Sequence, residues 1–167
     1  MLPEHIVLYG RSLGSGPSCY LASKSAAAGR SVAGLILHAP FTSVYRVVFP
    51  DIGFTVPGDQ FPNIDRMRSI RCPVFIAHGT ADEIVPYHHG LSLHKAVMVK
   101  AKAEFFSCDG MGHNRYESTI SELAHMEAIH HYLDYHILAR RLWMKRRPVR
   151  TPRIYQQRHQ QLDTIKI

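Results

Sequence analysis

Four short apolar runs, set apart by helix-length segments, constrain this chain more than any other feature it has. Residues 6–9, 32–37, 73–77 and 103–107 are each about a strand long, and the first three are apolar almost throughout. Runs without polar alternation belong to strands covered on both faces, as in a parallel sheet with helices packed against it. The intervening segments read as those helices. Gly16-Pro17 opens residues 18–28, rich in Ala, Leu and Lys, and Gly29 closes them. Asn63 caps a short helix through residue 70, and residues 87–98 form a second full helix. Thr119 and Glu122 make a capping-box pair ahead of an apolar stripe of Ile120, Leu123, Ile129, Leu133 and Ile137. Residues 40–62, crowded with Pro, Gly and aromatics, read as irregular structure. The predicted class is α/β, a parallel sheet with flanking helices.

A length of 167 residues with 46% hydrophobic side chains suits one compact domain. No stretch reaches the ~20 consecutive apolar residues of a membrane span, and residues 1–10 lack a basic region followed by a long apolar run. Cys19, Cys72 and Cys108 are an odd number in a chain large enough to do without disulfides, so free thiols and a cytoplasmic location are expected. The net charge of +7 is unevenly spread. Residues 1–138 hold 11 Lys+Arg against 12 Asp+Glu, a balance of −1, whereas residues 139–167 hold nine against one, a balance of +8. Two units follow, a near-neutral body over 1–138 and a basic, flexible tail over 139–167. Arg140, Arg141, Lys145, Arg146 and Arg147 suit an anionic membrane surface, giving a peripheral membrane association. With few aromatics beyond Trp143 and Tyr155, the tail suits nucleic acid less well, and a solvated extension is the plainer reading.

Chemistry enters where the first strand meets the first helix. Gly10-Arg11-Ser12-Leu13-Gly14 is a G-x-S-x-G pentapeptide between an apolar strand and a helix, the setting of a nucleophile elbow. A serine on so sharp a turn has a strained backbone, and both glycines are expected to be there because side chains would clash with the converging strand and helix. Two further residues follow later strands in the order acid, base. Asp82 lies in His78-Gly79-Thr80-Ala81-Asp82-Glu83, and His113 in Gly110-Met111-Gly112-His113-Asn114. His113 as general base would take the Ser12 proton, and Asp82 would hold the imidazole tautomer. Glu83 and Asp109 rival Asp82 as the acid, Asp82 being preferred because the third-strand loop supplies the acid in this arrangement. His38, His78, His88, His89, His130 and His131 are assigned to packing or solvent. The spacing around His125 and His130 is wrong for HExxH, and the cysteines form no CxxC, which argues against zinc. Gly14-Ser15-Gly16 lacks the third glycine of a dinucleotide fingerprint and the lysine of a P-loop, so no cofactor is expected.

These residues together resemble the α/β-hydrolase superfamily, from the elbow strand to the last helix. The segments Tyr9-Gly10-Arg11-Ser12-Leu13-Gly14, Leu37-His38-Ala39-Pro40-Phe41-Thr42-Ser43, Phe49-Pro50-Asp51, Phe61-Pro62-Asn63-Ile64-Asp65, His78 to Glu83 and Gly110 to Asn114 are similar to the cytosolic branch that includes the protein depalmitoylases. The resemblance implies a serine thioesterase or esterase without a large lid, acting on S-acylated proteins or small esters. It implies Ser12 as nucleophile, Asp82 as acid, His113 as base and the Leu13 backbone N–H as one half of the oxyanion hole. It also implies that this sequence corresponds to the C-terminal half of the fold, since the elbow normally follows several earlier strands and here lies at residue 12. The loop that carries the second oxyanion donor falls in the earlier half, and such a donor is worth about a hundred- to a thousand-fold in turnover. Three functions are therefore weighed: a serine hydrolase, an impaired hydrolase remnant, and a membrane-surface module built on the tail.

Overall fold

A computed structural model describes residues 2–49, 53–98, 103–115 and 119–139. Four strands, β1 (Val7–Arg11), β2 (Gly34–His38), β3 (Val74–Gly79) and β4 (Ala103–Cys108), form one sheet in the order β1-β2-β3-β4. All three pairings are parallel. The helices are α1 (Ser15–Ala27), α2 (Val44–Val48), α3 (Asn63–Met67), α4 (His88–Ala96) and α5 (Thr119–Tyr132), with a π-helical stretch, Leu133–Leu138, continuing α5.

The two inner strands are buried over their whole length and divide their side chains between two cores. Leu35, Leu37, Val74 and Ile76 point into one core with Cys19 and Ala22 of α1, Met67 of α3 and Leu93 of α4. Ile36, Phe75 and Ala77 point into the other with Tyr132 and Ile137. This is the two-sided burial that the runs at 32–37 and 73–77 foretell, whereas the equally apolar first run is only half-buried in β1, with Tyr9 53% exposed. Tyr132 also anchors the last helix to the sheet. Its hydroxyl donates to Pro73 O at 2.8 Å and accepts the Leu35 N–H at 3.2 Å. A Cβ on Gly34 would stand 2.5 Å from that oxygen, so only glycine lets the helix come so close.

Several expectations need correction. α1 begins at Ser15, so Pro17 sits inside the first turn, where its missing N–H is no loss. Residues 40–62 are not wholly irregular, because Ser43 accepts the Arg46 N–H at 3.2 Å and caps the short helix α2. Asn63 is the first residue of α3 and not its cap, its amide donating instead to Phe41 O at 3.1 Å and Ser15 Oγ at 3.4 Å. The stripe on the last helix holds at Ile129, Leu133 and Ile137, which pack against the sheet, but not in its first turns. Ile120 and Leu123 are 79% and 63% exposed, while His125, Ala128, Ile129 and Tyr132, at i, i+3, i+4 and i+7, form the face turned to the sheet. The Thr119 side chain of the capping box and the basic tail from Arg140 onward lie outside the described residues.

Candidate active site

β1 ends at Arg11, a single 3-10 turn spans Ser12–Gly14, and α1 starts at once from Ser15. Ser12 takes φ +48°, the left-handed region that non-glycine residues avoid, which lifts its side chain off the end of the strand. Gly10 is required by the turn: a Cβ there would meet Gly14 O at 2.5 Å and Ser18 Oγ at 2.6 Å. Gly14 is not required in the way expected, because a Cβ on it would meet nothing within 4 Å. The second close approach falls instead at Gly16, whose Cβ would overlap the Phe61 ring.

His113 arrives from the loop after β4. Gly110, at φ +66°, reverses the chain there. The loop then lies across the end of β3, where Ala81 N–H donates to Met111 O at 3.1 Å and a Cβ on Gly79 would collide with that carbonyl. His113 is 4% exposed. Its Nε2 lies 2.9 Å from Ser12 Oγ, and its Nδ1 lies 2.8 Å and 3.0 Å from the Asp82 carboxylate oxygens. The tautomer with the proton on Nδ1 satisfies both contacts, Nδ1–H donating to Asp82 and Nε2 accepting from Ser12. Asp82 is held in turn, its Oδ1 accepting the Ile84 N–H at 3.0 Å and the Val85 N–H at 2.8 Å.

Thus Asp82, and neither of its rivals, faces the imidazole. Glu83 Oε2 accepts the backbone N–H of His113 at 3.1 Å, and Asp109 accepts from Thr80 Oγ1 at 3.1 Å. Leu13 follows Ser12 in the same turn and is 64% exposed.

Three residues around this group have contacts that the sequence did not assign to them. Arg11 donates from its guanidinium to His113 O at 2.6 Å and to Asn114 Oδ1 at 2.9 Å. Glu83 holds the His113 amide, as above. His78 is fully buried beneath Asp82, its Nε2 2.8 Å from Val85 O and 3.5 Å from Asp82 Oδ2. Burial lowers the His78 pKa against the raising pull of Val85 O and Asp82, so a neutral ring donates to Val85 and braces the loop that holds Asp82. Arg11 and Glu83 adjoin Ser12 and Asp82 in sequence, and Glu83 had been weighed only as a rival acid. His38 and His89 are buried as expected and have polar partners: Tyr9 OH stands 3.1 Å from His38 Nδ1, and Thr42 Oγ1 stands 2.8 Å from His89 Nδ1. Burial lowers His38 to about 3 and His89 to about 4. Cys19, Cys72 and Cys108 are buried thiols, Cys19 pushed by burial up to about 12 and Cys108 to about 11. Among the described residues there is no group of three metal-ligating side chains, and no helix is long and apolar enough to cross a membrane.

No family model matches the chain. It is similar to alpha/beta hydrolase domain-containing protein 17B of Xenopus laevis, 43% identical over 115 residues that cover 69% of this chain and 38% of that protein. The chain therefore spans well under half the length of such relatives. Among solved structures it is similar to the esterase domain of a Rhodothermus marinus protein, with a TM-score of 0.61, 18% identity, and coverage of 78% of this chain and 60% of that one. A monoacylglycerol lipase of Paleococcus ferrophilus superposes with a TM-score of 0.58 at 17% identity, over 78% of this chain and 69% of that one.

Proposed function

Because the chain belongs to the α/β-hydrolase superfamily and has its fold, we propose that it is a serine hydrolase cleaving ester or thioester bonds through an acyl-enzyme on Ser12. The observation that carries this reading is the unbroken line of hydrogen bonds from Ser12 Oγ through both ring nitrogens of His113 to Asp82. As Ser12 Oγ attacks the acyl carbon, its proton passes to His113 Nε2, and Asp82 stabilises the imidazolium that results. The Leu13 N–H meets the developing oxyanion. The tetrahedral species collapses, His113 protonates the leaving thiol or alcohol, and water attacks the acyl-Ser12 ester by the reverse sequence. Asp82 fits the role of the acid for a geometric reason: its two backbone N–H bonds fix the carboxylate while leaving an oxygen turned to Nδ1.

The substrate class inferred is S-acylated protein, with small esters as surrogates. It rests on the likeness of the segments around residues 9–14, 37–43, 78–83 and 110–114 to the depalmitoylase branch. The basic residues Arg140, Arg141, Lys145, Arg146 and Arg147 support a peripheral site of action at anionic membranes of the cytoplasm.

Labelling by a fluorophosphonate probe tests the nucleophile without requiring a known substrate. Ser12→Ala should abolish labelling, and His113→Ala should slow it by about a thousand-fold or more. Ser15→Ala should leave it intact, because Ser15 is buried against Asn63. Labelling that survives Ser12→Ala, or that Ser15→Ala also removes, would overturn the assignment. Hydrolysis of an S-palmitoyl peptide in preference to a matched oxygen ester then tests the substrate class.

A further inference from the structure

Resting on the serine-hydrolase reading, we infer that Arg11 and Glu83 are positioning residues that clamp the peptide backbone of the general base from its two sides. His113 sits in a loop whose own backbone offers little to hold it. Gly112 N–H donates to Arg115 O at 3.1 Å and Met111 N–H to Cys108 O at 3.3 Å, and neither bond fixes the peptide groups of His113 itself. Those groups are bonded by side chains from elsewhere in the fold. Glu83 Oε2 accepts the His113 N–H at 3.1 Å, and the Arg11 guanidinium donates to His113 O at 2.6 Å while also engaging Asn114 Oδ1 at 2.9 Å.

The placement of the two clamp residues explains why this matters. Arg11 is the residue before Ser12 and Glu83 the residue after Asp82, so the elbow and the acid loop each lend their neighbouring side chain to the base loop. The imidazole is thereby referenced to the two groups it must meet, at its backbone by the clamp and at its ring by the 2.9 Å and 2.8 Å contacts. With both peptide groups tied, the ring's freedom reduces to its two side-chain torsions, which the two ring contacts fix. Gly112 completes the device. A Cβ there would stand 3.0 Å from Glu83 Oε2, so the bare backbone leaves room for the carboxylate to reach the next amide. Glu83 needs only an acceptor oxygen for this work, whereas Arg11 needs a nitrogen with two N–H groups at the right reach, since its Nη2 serves both acceptors. Loss of either tie should let the base drift by a fraction of an ångström to an ångström, and a misplacement of that size costs roughly ten- to a hundred-fold in rate.

The test measures the second-order rate of fluorophosphonate labelling at Ser12 together with the far-downfield proton resonance of the His113–Asp82 hydrogen bond, in the full chain. Arg11→Ala and Glu83→Ala should each slow labelling by roughly ten- to a hundred-fold and broaden that resonance through faster exchange. Arg11→Lys should fall between Ala and wild type. Glu83→Gln, whose amide oxygen can still accept the His113 N–H, should stay within about threefold of wild type and keep the resonance sharp. Urea midpoints of all four variants separate loss of positioning from loss of folding. The clamp is overturned if Arg11→Ala and Glu83→Ala label at the wild-type rate with an unchanged resonance, or if Glu83→Gln falls as far as Glu83→Ala. Wild-type protein that shows neither labelling at Ser12 nor the downfield proton would overturn the serine-hydrolase reading itself, and the clamp with it.

Discussion

Lowering the pH from about 7.5 to about 5 should strip several kcal/mol from the stability of this protein, because histidines that are free to protonate in the unfolded chain are buried neutral in the folded one. His38 and His89 are 4% and 2% exposed, and their folded pKa values fall from 6.5 to about 3 and about 4. For His38 the main cause is burial, reinforced by His125, Arg11, His78 and His113. For His89 it is burial, reinforced by His88, His78 and Arg46 against a smaller opposing pull from Asp82. His78 and His125 are lowered in the same direction by burial. A depressed folded pKa means that the unfolded state binds more protons, so stability is whole above pH 6.5 and declines as pH falls toward 4 and 3. At pH 5 the unfolded chain gains about 2 kcal/mol from protonating each of His38 and His89, about 4 kcal/mol together. That is a third or more of the stability of an ordinary domain. Urea unfolding followed by circular dichroism should show the midpoint dropping by about 2 M between pH 7.5 and 5. His89→Asn keeps an acceptor for Thr42 and cannot become charged, so it should recover about 2 kcal/mol of the loss at pH 5. A midpoint that does not move with pH, or a His89→Asn profile parallel to wild type, would refute the reasoning.

Three further outcomes are expected. Gly10→Ala should destabilise by about 2–4 kcal/mol and depress Ser12 labelling, since the new methyl meets the Gly14 carbonyl, whereas Gly14→Ala should be neutral or stabilising by about 0.5–1 kcal/mol; urea midpoints of the pair decide it. Tyr132→Phe should cost about 1–3 kcal/mol by the same assay, leaving Pro73 O without the hydroxyl while Leu35 N–H keeps its 3.0 Å bond to Pro73 O. Binding to vesicles rich in phosphatidylserine should weaken steeply between about 50 and 500 mM salt and disappear when residues 139–167 are removed, and salt-independent binding measured by co-sedimentation would point to the body instead.

The strands and the side chains of the candidate site were readable in the chain because both are local statements. The apolar runs of β2 and β3 carry their own account of two-sided burial, and a serine between Gly10 and Gly14 states its turn within five residues. What escaped were facts that depend on phase and on distant partners. Ile120 and Leu123 are as apolar as Ile129, yet five residues of helix separate Ile120 from His125, and that offset turns it to solvent. α2 escaped because Pro and Gly on either side of it mask a five-residue helix whose signal is the single cap Ser43. Gly14 and Gly16 exchanged roles because the obstacle at Gly16 is Phe61, 45 positions away in sequence. Arg11 and Glu83 carry no pattern of their own. What they do is set by a loop about 100 and 30 residues further along, which only the folded chain brings to them.

Among the described residues β1 and β4 stand at opposite ends of the strand order, and three strand spacings of about 4.8 Å separate them. Ser12 hangs from one margin, and the loop bearing His113 departs from the other. The bond between them joins residues 101 apart in sequence, across the gap that β2 and β3 fill. Contacts of such separation bear the greatest loop-closure entropy and belong late in the order of assembly. On the mechanism proposed, secondary structure should return on refolding well before Ser12 can be labelled, so that labelling of this one hydroxyl reports on the integrity of the sheet from margin to margin.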